Sequence, residues 1–541
     1  MISSRIRRLV PAAALLLGLG ACVDGDPIGL ASPEGGPRLD EGVSAQAWNG
    51  NIRIGVIPTA TSVTIGSAAD WTITNKTTGT VLLSGAGGVS ATVTLESGSV
   101  SETRWRLQVM CSSPAAVAAR KAAAEAAGHP THTEPVPAAN CTRLYIGSFP
   151  ANASFGVRNT YRTSLINAGL AGTDSFWRQV TIVTGVTQYR VKTGTQEAVS
   201  SGPVVLTSSD NLVKIGTATY RGIAEVRINS GGTLAGINEV PMEQYLYGVV
   251  PRELPPTVYD ELEAQKAQAI AARTYAMRGM GKRSSDGYDM LATTTDQVYG
   301  GYAAEHPLST QAVDGTAGLV ATYNGQLIEA LFFSTSGGAT ANNEDVYNSA
   351  PVPYLRGVID HQRGNAGNVL DSLKNAHGAQ KLRGKRNGDF EGDWSRYHRW
   401  SFEWTADEIS AVISAYAGQP VGKVLAINVL ERGPSGRVLR IEYVTEAGTF
   451  THTRDAIRSS LRYIDANGNR ANLLSTLFFV EPVIDKRANQ DVLTGFVVYG
   501  GGFGHGVGMS QTGAVSMAER GATFEEILKH FYTGIELETR Y

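Results

Sequence analysis

The sequence predicts an α+β protein: a strand-rich main domain with a central Ala-rich helix, and a βαββαβ unit inserted into its N-terminal part. Three observations carry this. The 62 glycines in 541 residues, with short alternating apolar runs between turn residues, fit strands and loops better than a helical bundle. From Glu261-Leu262-Glu263-Ala264 to Ala271-Ala272-Arg273-Thr274-Tyr275-Ala276 the chain is rich in Ala, and neither Gly nor Pro interrupts it before Gly279. Between 101 and 184 the pattern changes to strand, helix, strand, strand, helix, strand.

Taken in order, residues 1–22 read as an export signal. Arg5, Arg7 and Arg8 form a basic start, and the apolar run 10–19 is too short to span a bilayer. Leu19-Gly20-Ala21-Cys22 has the form of a lipobox, in which Cys22 becomes the lipidated N-terminus and anchors the chain to a membrane; the alternative is an ordinary cleaved signal with an incidental cysteine. Residues 23–50, rich in Pro, Gly and Asp, read as a flexible tether. With 47 Lys and Arg against 49 Asp and Glu, the net charge of −2 gives no sign of an electrostatic nucleic-acid binder.

Residues 51–100 alternate, as in Ile52-Arg53-Ile54-Gly55-Val56-Ile57 and Ala91-Thr92-Val93-Thr94-Leu95, and predict antiparallel strands of the main unit. In the insert, 101–184, the spans are a strand at 104–111, a helix at 114–127, strands at 131–136 and 142–148, a helix at 155–168 and a strand at 176–183. With Cys22 set apart, Cys111 and Cys141 are an even pair in an exported chain, which predicts a disulfide. A ferredoxin-like sheet makes the first and third strands antiparallel neighbours, bringing the end of one, Cys111, beside the start of the other, Cys141. Two cysteines alone do not make a zinc site.

The main domain resumes over 185–541, with strands at Leu212-Val213-Lys214-Ile215 and Ala224-Glu225-Val226-Arg227-Ile228. After the Ala-rich helix come a Gly- and Asn-dotted surface excursion at 364–393 and a helix opened by Thr405-Ala406-Asp407-Glu408. Strands at 424–429 and 437–444 and a closing helix at 523–531 complete the chain.

Glu253 stands out by its setting. It lies between an apolar Val249-Val250-Pro251 and a Leu254-Pro255-Pro256 that denies the backbone a helical path, ahead of Thr257-x-x-Asp260, which has the form of a capping box for the Ala-rich helix. This predicts a carboxyl held at the mouth of that helix in apolar company, with a raised pKa, and an Ala-dense face lying close to a sheet. On its own, such a residue is as well explained by a surface acid near a helix N-terminus.

Val250-Pro251-Arg252-Glu253-Leu254-Pro255, followed by Glu263-Ala264-Gln265-Lys266-Ala267-Gln268-Ala269-Ile270-Ala271-Ala272-Arg273-Thr274-Tyr275-Ala276, resembles the signature of the stage II sporulation protein D family, the amidase-enhancer domain. The likeness continues through Thr295-Asp296-Gln297-Val298-Tyr299-Gly300-Gly301, Phe333-Ser334-Thr335-Ser336-Gly337-Gly338 and Gly504-His505-Gly506-Val507-Gly508-Met509-Ser510-Gln511. The resemblance implies a lytic transglycosylase of peptidoglycan with Glu253 as its acid. Substrate-binding candidates are Arg273, Tyr275, Gln297, Tyr299, Ser334, Ser336, His505 and Gln511, though a core or turn role fits each of them as well.

Many relatives have Cys where Ser336 stands, and some bind zinc there; with the thiol missing, neither a metal nor any other cofactor is expected. Asp296, Glu344 and Asp345 are the candidates for the second carboxylate of a true hydrolase. The insert resembles a sporulation-related repeat (SPOR) domain at Arg106-Leu107-Gln108-Val109 and Thr142-Arg143-Leu144-Tyr145-Ile146-Gly147-Ser148-Phe149, which implies binding to peptide-free glycan; an insert with no such affinity is the alternative. The partners implied are peptidoglycan glycan strands, a cell-wall amidase and, through Cys22, a membrane, with no nucleic acid. Three readings stand: a lytic transglycosylase, a non-catalytic enhancer of a partner amidase, and a structural lipoprotein.

Overall fold

The structure, a computed structural model, describes residues 50–96, 100–184, 188–360, 369, 391–465, 468–487 and 490–541. The expected signal, Cys22, the tether up to residue 49 and nearly all of the excursion 364–393 lie outside them.

Two sheets share the first core. One runs in the order Met290–Leu291, Asn51–Ala60, Leu234–Pro241, Ile223–Ile228, Val204–Ser208, Trp71–Asn75, Val81–Gly85; the other in the order Gln196–Ser200, Gln188–Thr193, Ser90–Glu96, Ser62–Gly66, Leu212–Ile215, Ala218–Arg221. The period-2 pattern read from the sequence sets which side faces in. Ile52 and Ile54 are fully buried with Val63, Val93 and Val213, while Arg53 between them turns outward to the carboxylates of Glu225 and Glu239.

The insert departs from the second sheet. Strand Ser90–Glu96 leads into it and Gln188–Thr193 returns from it, the two paired antiparallel with Glu96 opposite Gln188. Within it four antiparallel strands run in the order Thr131–Val136, Cys141–Pro150, Val100–Ser112, Phe176–Thr184. Helices α1 (Pro114–Ala126) and α2 (Phe155–Asn167) are opened by the Ser113 and Ser154 hydroxyls, each accepting a backbone N–H of the first turn. Val117 and Leu165 pack against Leu107, Leu144 and Ile146 of the sheet. Cys111 and Cys141 are disulfide-bonded, with Cα atoms 5.5 Å apart.

Three helices position the site: α3 (Met242–Glu253), α4 (Leu262–Arg278) and α5 (Pro307–Asp314). Two local expectations change here. Helix α3 passes through Pro251 and is ended by the Leu254-Pro255-Pro256 run, as expected of that run, so Glu253 closes α3 and does not stand at the mouth of α4. Thr257 sits in a turn, and α4 begins after Glu261 with no side-chain cap, so Thr257-x-x-Asp260 is not its capping box.

Nor does the Ala-dense helix lie on a sheet with one face. Ala269, Ala272 and Ala276 join the first core, whereas Ala264, Ala267, Ile270 and Ala271 join a second, built with strand Leu319–Tyr323 and helices Gln511–Glu519 and Phe524–Phe531. A helix buried all round needs small side chains, because neighbours approach from every side.

A third core, which the reading of 185–541 as one unit had not separated, gathers Trp400, Trp404, Ile409, Ile413, Val438, Tyr443, Phe478 and Val498. Its helix Ala406–Ala417 is opened by the expected reciprocal pair of Thr405 and Glu408.

Candidate functional site

Glu253 is 3 % exposed. Its Oε1 accepts the Val298 backbone N–H at 2.7 Å, and its Oε2 is buried with no hydrogen bond among the described residues. Removal from water pushes its pKa up to about 7, against the smaller opposing effects of the Val298 N–H and Arg252. A carboxyl in that range is protonated often enough to give a proton near neutrality and basic enough to take one back.

The Val298 N–H is aimed by its neighbours. Gln297 accepts from the Tyr245 hydroxyl at 3.1 Å and donates to the Ala272 carbonyl at 3.2 Å, while Tyr299 donates to Asn238 Oδ1 at 2.9 Å. Both side chains are buried, so alternate residues of the Gln297–Tyr299 stretch anchor it and the middle peptide faces the acid. These two expected substrate contacts are therefore braces of the site.

Gln511 comes directly to the acid: its Nε2 donates to the Glu253 carbonyl at 2.9 Å and to Gln268 Oε1 at 3.3 Å. Gln268 leaves its own Nε2 buried without a partner. Tyr275, two turns further along the same face of α4, makes no hydrogen bond through its hydroxyl among the described residues. Burial raises its pKa, and so do the carboxylates of Asp296, Glu329 and Glu253 around it.

The remaining expected contacts lie elsewhere. Arg273 is fully buried: it forks onto Glu243 at 2.9 and 2.5 Å and donates to the Leu319 carbonyl at 3.0 Å. Its place in the motif reflects the joint of α3 with α4. Ser336 is also fully buried, donating to Asp360 Oδ2 at 2.5 Å and accepting from Gly338 N–H at 3.1 Å. Ser334, likewise buried, accepts at its carbonyl the Thr512 N–H at 3.0 Å. The His505 ring spans the Phe332 carbonyl at 3.1 Å and the Val507 N–H at 3.1 Å. These three residues brace the Gly-rich turns against one another.

Ser336 and Asp360 supply one hydroxyl and one carboxyl, short of a tetrahedral zinc site, and no three His, Cys, Asp or Glu side chains converge among the described residues. Of the possible second carboxylates, Asp296 is held by Lys282 at 2.6 Å and by the Leu291 N–H at 2.9 Å, and Glu344 by Arg356 at 2.6 Å. Asp345 accepts from Asn342 at 3.3 Å. Gln268, in contact with Gln511, and Glu329, near Tyr275, were missed by sequence reasoning. Gln268 was legible as the residue seven before Tyr275 on one helix face, while nothing in the run around Glu329 marks it.

The site is thus one buried carboxyl with a raised pKa and an unpartnered oxygen, with a second unsatisfied polar group, Gln268 Nε2, in contact with Gln511. The family described as Stage II sporulation protein matches residues 230–323, and a domain family of unknown function matches 341–508. The stage II sporulation protein D of Bacillus subtilis is 31 % identical over 56 % of this chain and 75 % of its own length. An uncharacterized protein of Brachyspira hyodysenteriae is 29 % identical over 62 % of this chain and 76 % of its own. The amidase enhancer of Bacillus subtilis is 30 % identical over 54 % of this chain but 40 % of its own. The chain belongs to the stage II sporulation protein D family.

Proposed function

We propose that the protein is a peptidoglycan lytic transglycosylase of the cell envelope, with Glu253 as its single acid and base. The observation that carries this reading is the buried Glu253 carboxyl, one oxygen fixed by Val298 and the other without a partner, with a pKa of about 7. In the reaction the carboxyl gives its proton to the glycosidic oxygen, and the bond from that oxygen to the anomeric carbon of the muramic acid residue breaks. The C6 hydroxyl of the same sugar bonds to that carbon and its proton passes to the Glu253 carboxylate. A 1,6-anhydro ring results, water does not enter, and the carboxyl returns to its starting state. A hydrolase would need a second carboxylate to activate water; of the three read from the sequence, Asp296 and Glu344 are held in ion pairs and Asp345 accepts from Asn342, and the product's mass tells the two reactions apart.

The insert, with its ferredoxin-like strand order, fits the same reading as a module for peptide-free glycan, and lipidation at Cys22 would hold the enzyme at the envelope. Among the described residues no helix is long and apolar enough to cross a membrane.

A second reading, a non-catalytic enhancer of a cell-wall amidase, is favoured by the likeness to the amidase enhancer. Glu253→Gln separates the two. On peptide-free glycan strands its turnover should fall by roughly two to four orders of magnitude with binding retained, and wild-type products should be lighter by one water than hydrolysis products. Unchanged turnover, or reducing ends carrying solvent oxygen, would sink the transglycosylase reading. Stimulation of an amidase by Glu253→Gln as strong as by wild type, with no turnover from either, would establish the enhancer.

A further inference from the structure

Glu329 lies between Ile328 and Ala330, both fully buried in the second core, in the irregular segment that follows strand Gln326–Leu327, and is itself half-buried. This segment lies against α4. Arg278 and Tyr275, three residues apart on one helix face, are drawn against it where Arg278 Nη1 donates to the Leu327 carbonyl at 3.0 Å. The Glu329 backbone is fixed as well, its N–H donating to the Tyr354 hydroxyl at 3.1 Å.

The carboxyl itself makes no hydrogen bond or ion pair among the described residues, although the residue is half-buried. Arg278 and Lys282 are near enough to act on it electrostatically, yet Arg278 is turned to a backbone carbonyl and Lys282 is paired with Asp296 at 2.6 Å. Burial raises its pKa, and it acts in turn on Tyr275, which also lies in the field of Glu253. Glu253 Oε2 and Gln268 Nε2 are buried without a partner, and the Tyr275 hydroxyl and the Glu329 carboxyl, which are only partly buried, make no hydrogen bond among the described residues either. Burial without a partner is costly, and groups such as the first two persist where a ligand completes them, with the other two open to the same ligand.

We propose that Glu329 is a second substrate-contacting carboxyl, taking a hydrogen bond from a hydroxyl or amide N–H of an amino-sugar strand beside Tyr275. The assignment rests on reading the site as a glycan site. It needs no proton transfer from Glu329, which orients the strand while Glu253 does the acid and base work.

The test measures binding of peptide-free glycan strands to Glu253→Gln protein, with and without Glu329→Ala, alongside the thermal midpoint of each. Loss of a hydrogen bond to a charged group should weaken binding by about tenfold or more. The midpoint should not fall, because the side chain has no protein partner to lose. Unaltered affinity overturns the assignment. If Glu329→Ala lowers the midpoint, the isosteric Glu329→Gln decides: weakened binding at a wild-type midpoint supports a ligand contact, and a lowered midpoint makes the role structural. Should Glu253→Gln turn over glycan like wild type while Glu329→Ala still loses binding, the transglycosylase reading fails and this assignment stands.

Discussion

Glu253 and Asp360 both hold their protons more tightly in the fold than in the unfolded chain, each pushed up to about 7 chiefly by burial. A carboxyl raised in this way favours the fold fully below its unfolded pKa, and that contribution is lost as pH climbs through the folded value. For Glu253 the window runs from 4.5 to about 7, and the stability lost across it is on the order of 3 kcal/mol. The thermal midpoint should therefore fall between pH 4.5 and 8, and Glu253→Gln or Asp360→Asn should flatten the decline; profiles parallel to wild type would contradict this. Turnover should fall over the upper part of the same range, as the donor form of Glu253 disappears. Glu253 was legible as an acid in apolar company, because its flanking residues are themselves apolar. That Arg273 is locked into an ion pair was not, since its partner Glu243 lies on another helix.

Between elements, the decisive contact is that of α3 with the stretch carrying Val298. Gly248 lets them meet: its carbonyl accepts the Gly300 N–H at 3.0 Å, and a Cβ there would lie 2.7 Å from the Tyr299 ring and 2.9 Å from the Gly301 carbonyl. Gly248→Ala must push that stretch away and with it the donor on Glu253. We expect a loss of about 1–3 kcal/mol in stability, together with reduced glycan turnover. Chemical denaturation and product assays would check both, and a variant unchanged in each would show that the contact yields freely. The elements of the insert, and the main-sheet strands at 52–57, 91–95, 212–215 and 224–228, were readable from period. The start of α4 was not, because a capping sequence is a local preference that the Pro255-Pro256 turn overrides.

At the scale of the molecule, the insert leaves and re-enters at a paired position of one sheet, Glu96 opposite Gln188. Joining those two residues through an Asn-Gly turn in place of 97–187 closes an ordinary hairpin. The shortened protein should fold, keep its turnover on short glycan fragments and have a thermal midpoint within a few degrees of the whole chain. Aggregation, or loss of turnover on fragments, would mean that the insert supports the main domain.

The sequence by itself determined the α+β class, the strand and helix spans of the insert, its cysteine pair and the apolar setting of Glu253, because each rests on neighbours in the chain: period, composition and flanking residues. Only the tertiary structure decided that Gln297 and Tyr299 aim a peptide at the acid, that Ser336 and His505 brace distant turns, and that Glu329 stands unpartnered beside Tyr275. Those roles depend on what is buried against what. A polar residue in a Gly-rich motif is a brace or a ligand contact according to whether the fold gives it a partner, and its partners here lie tens to hundreds of residues away.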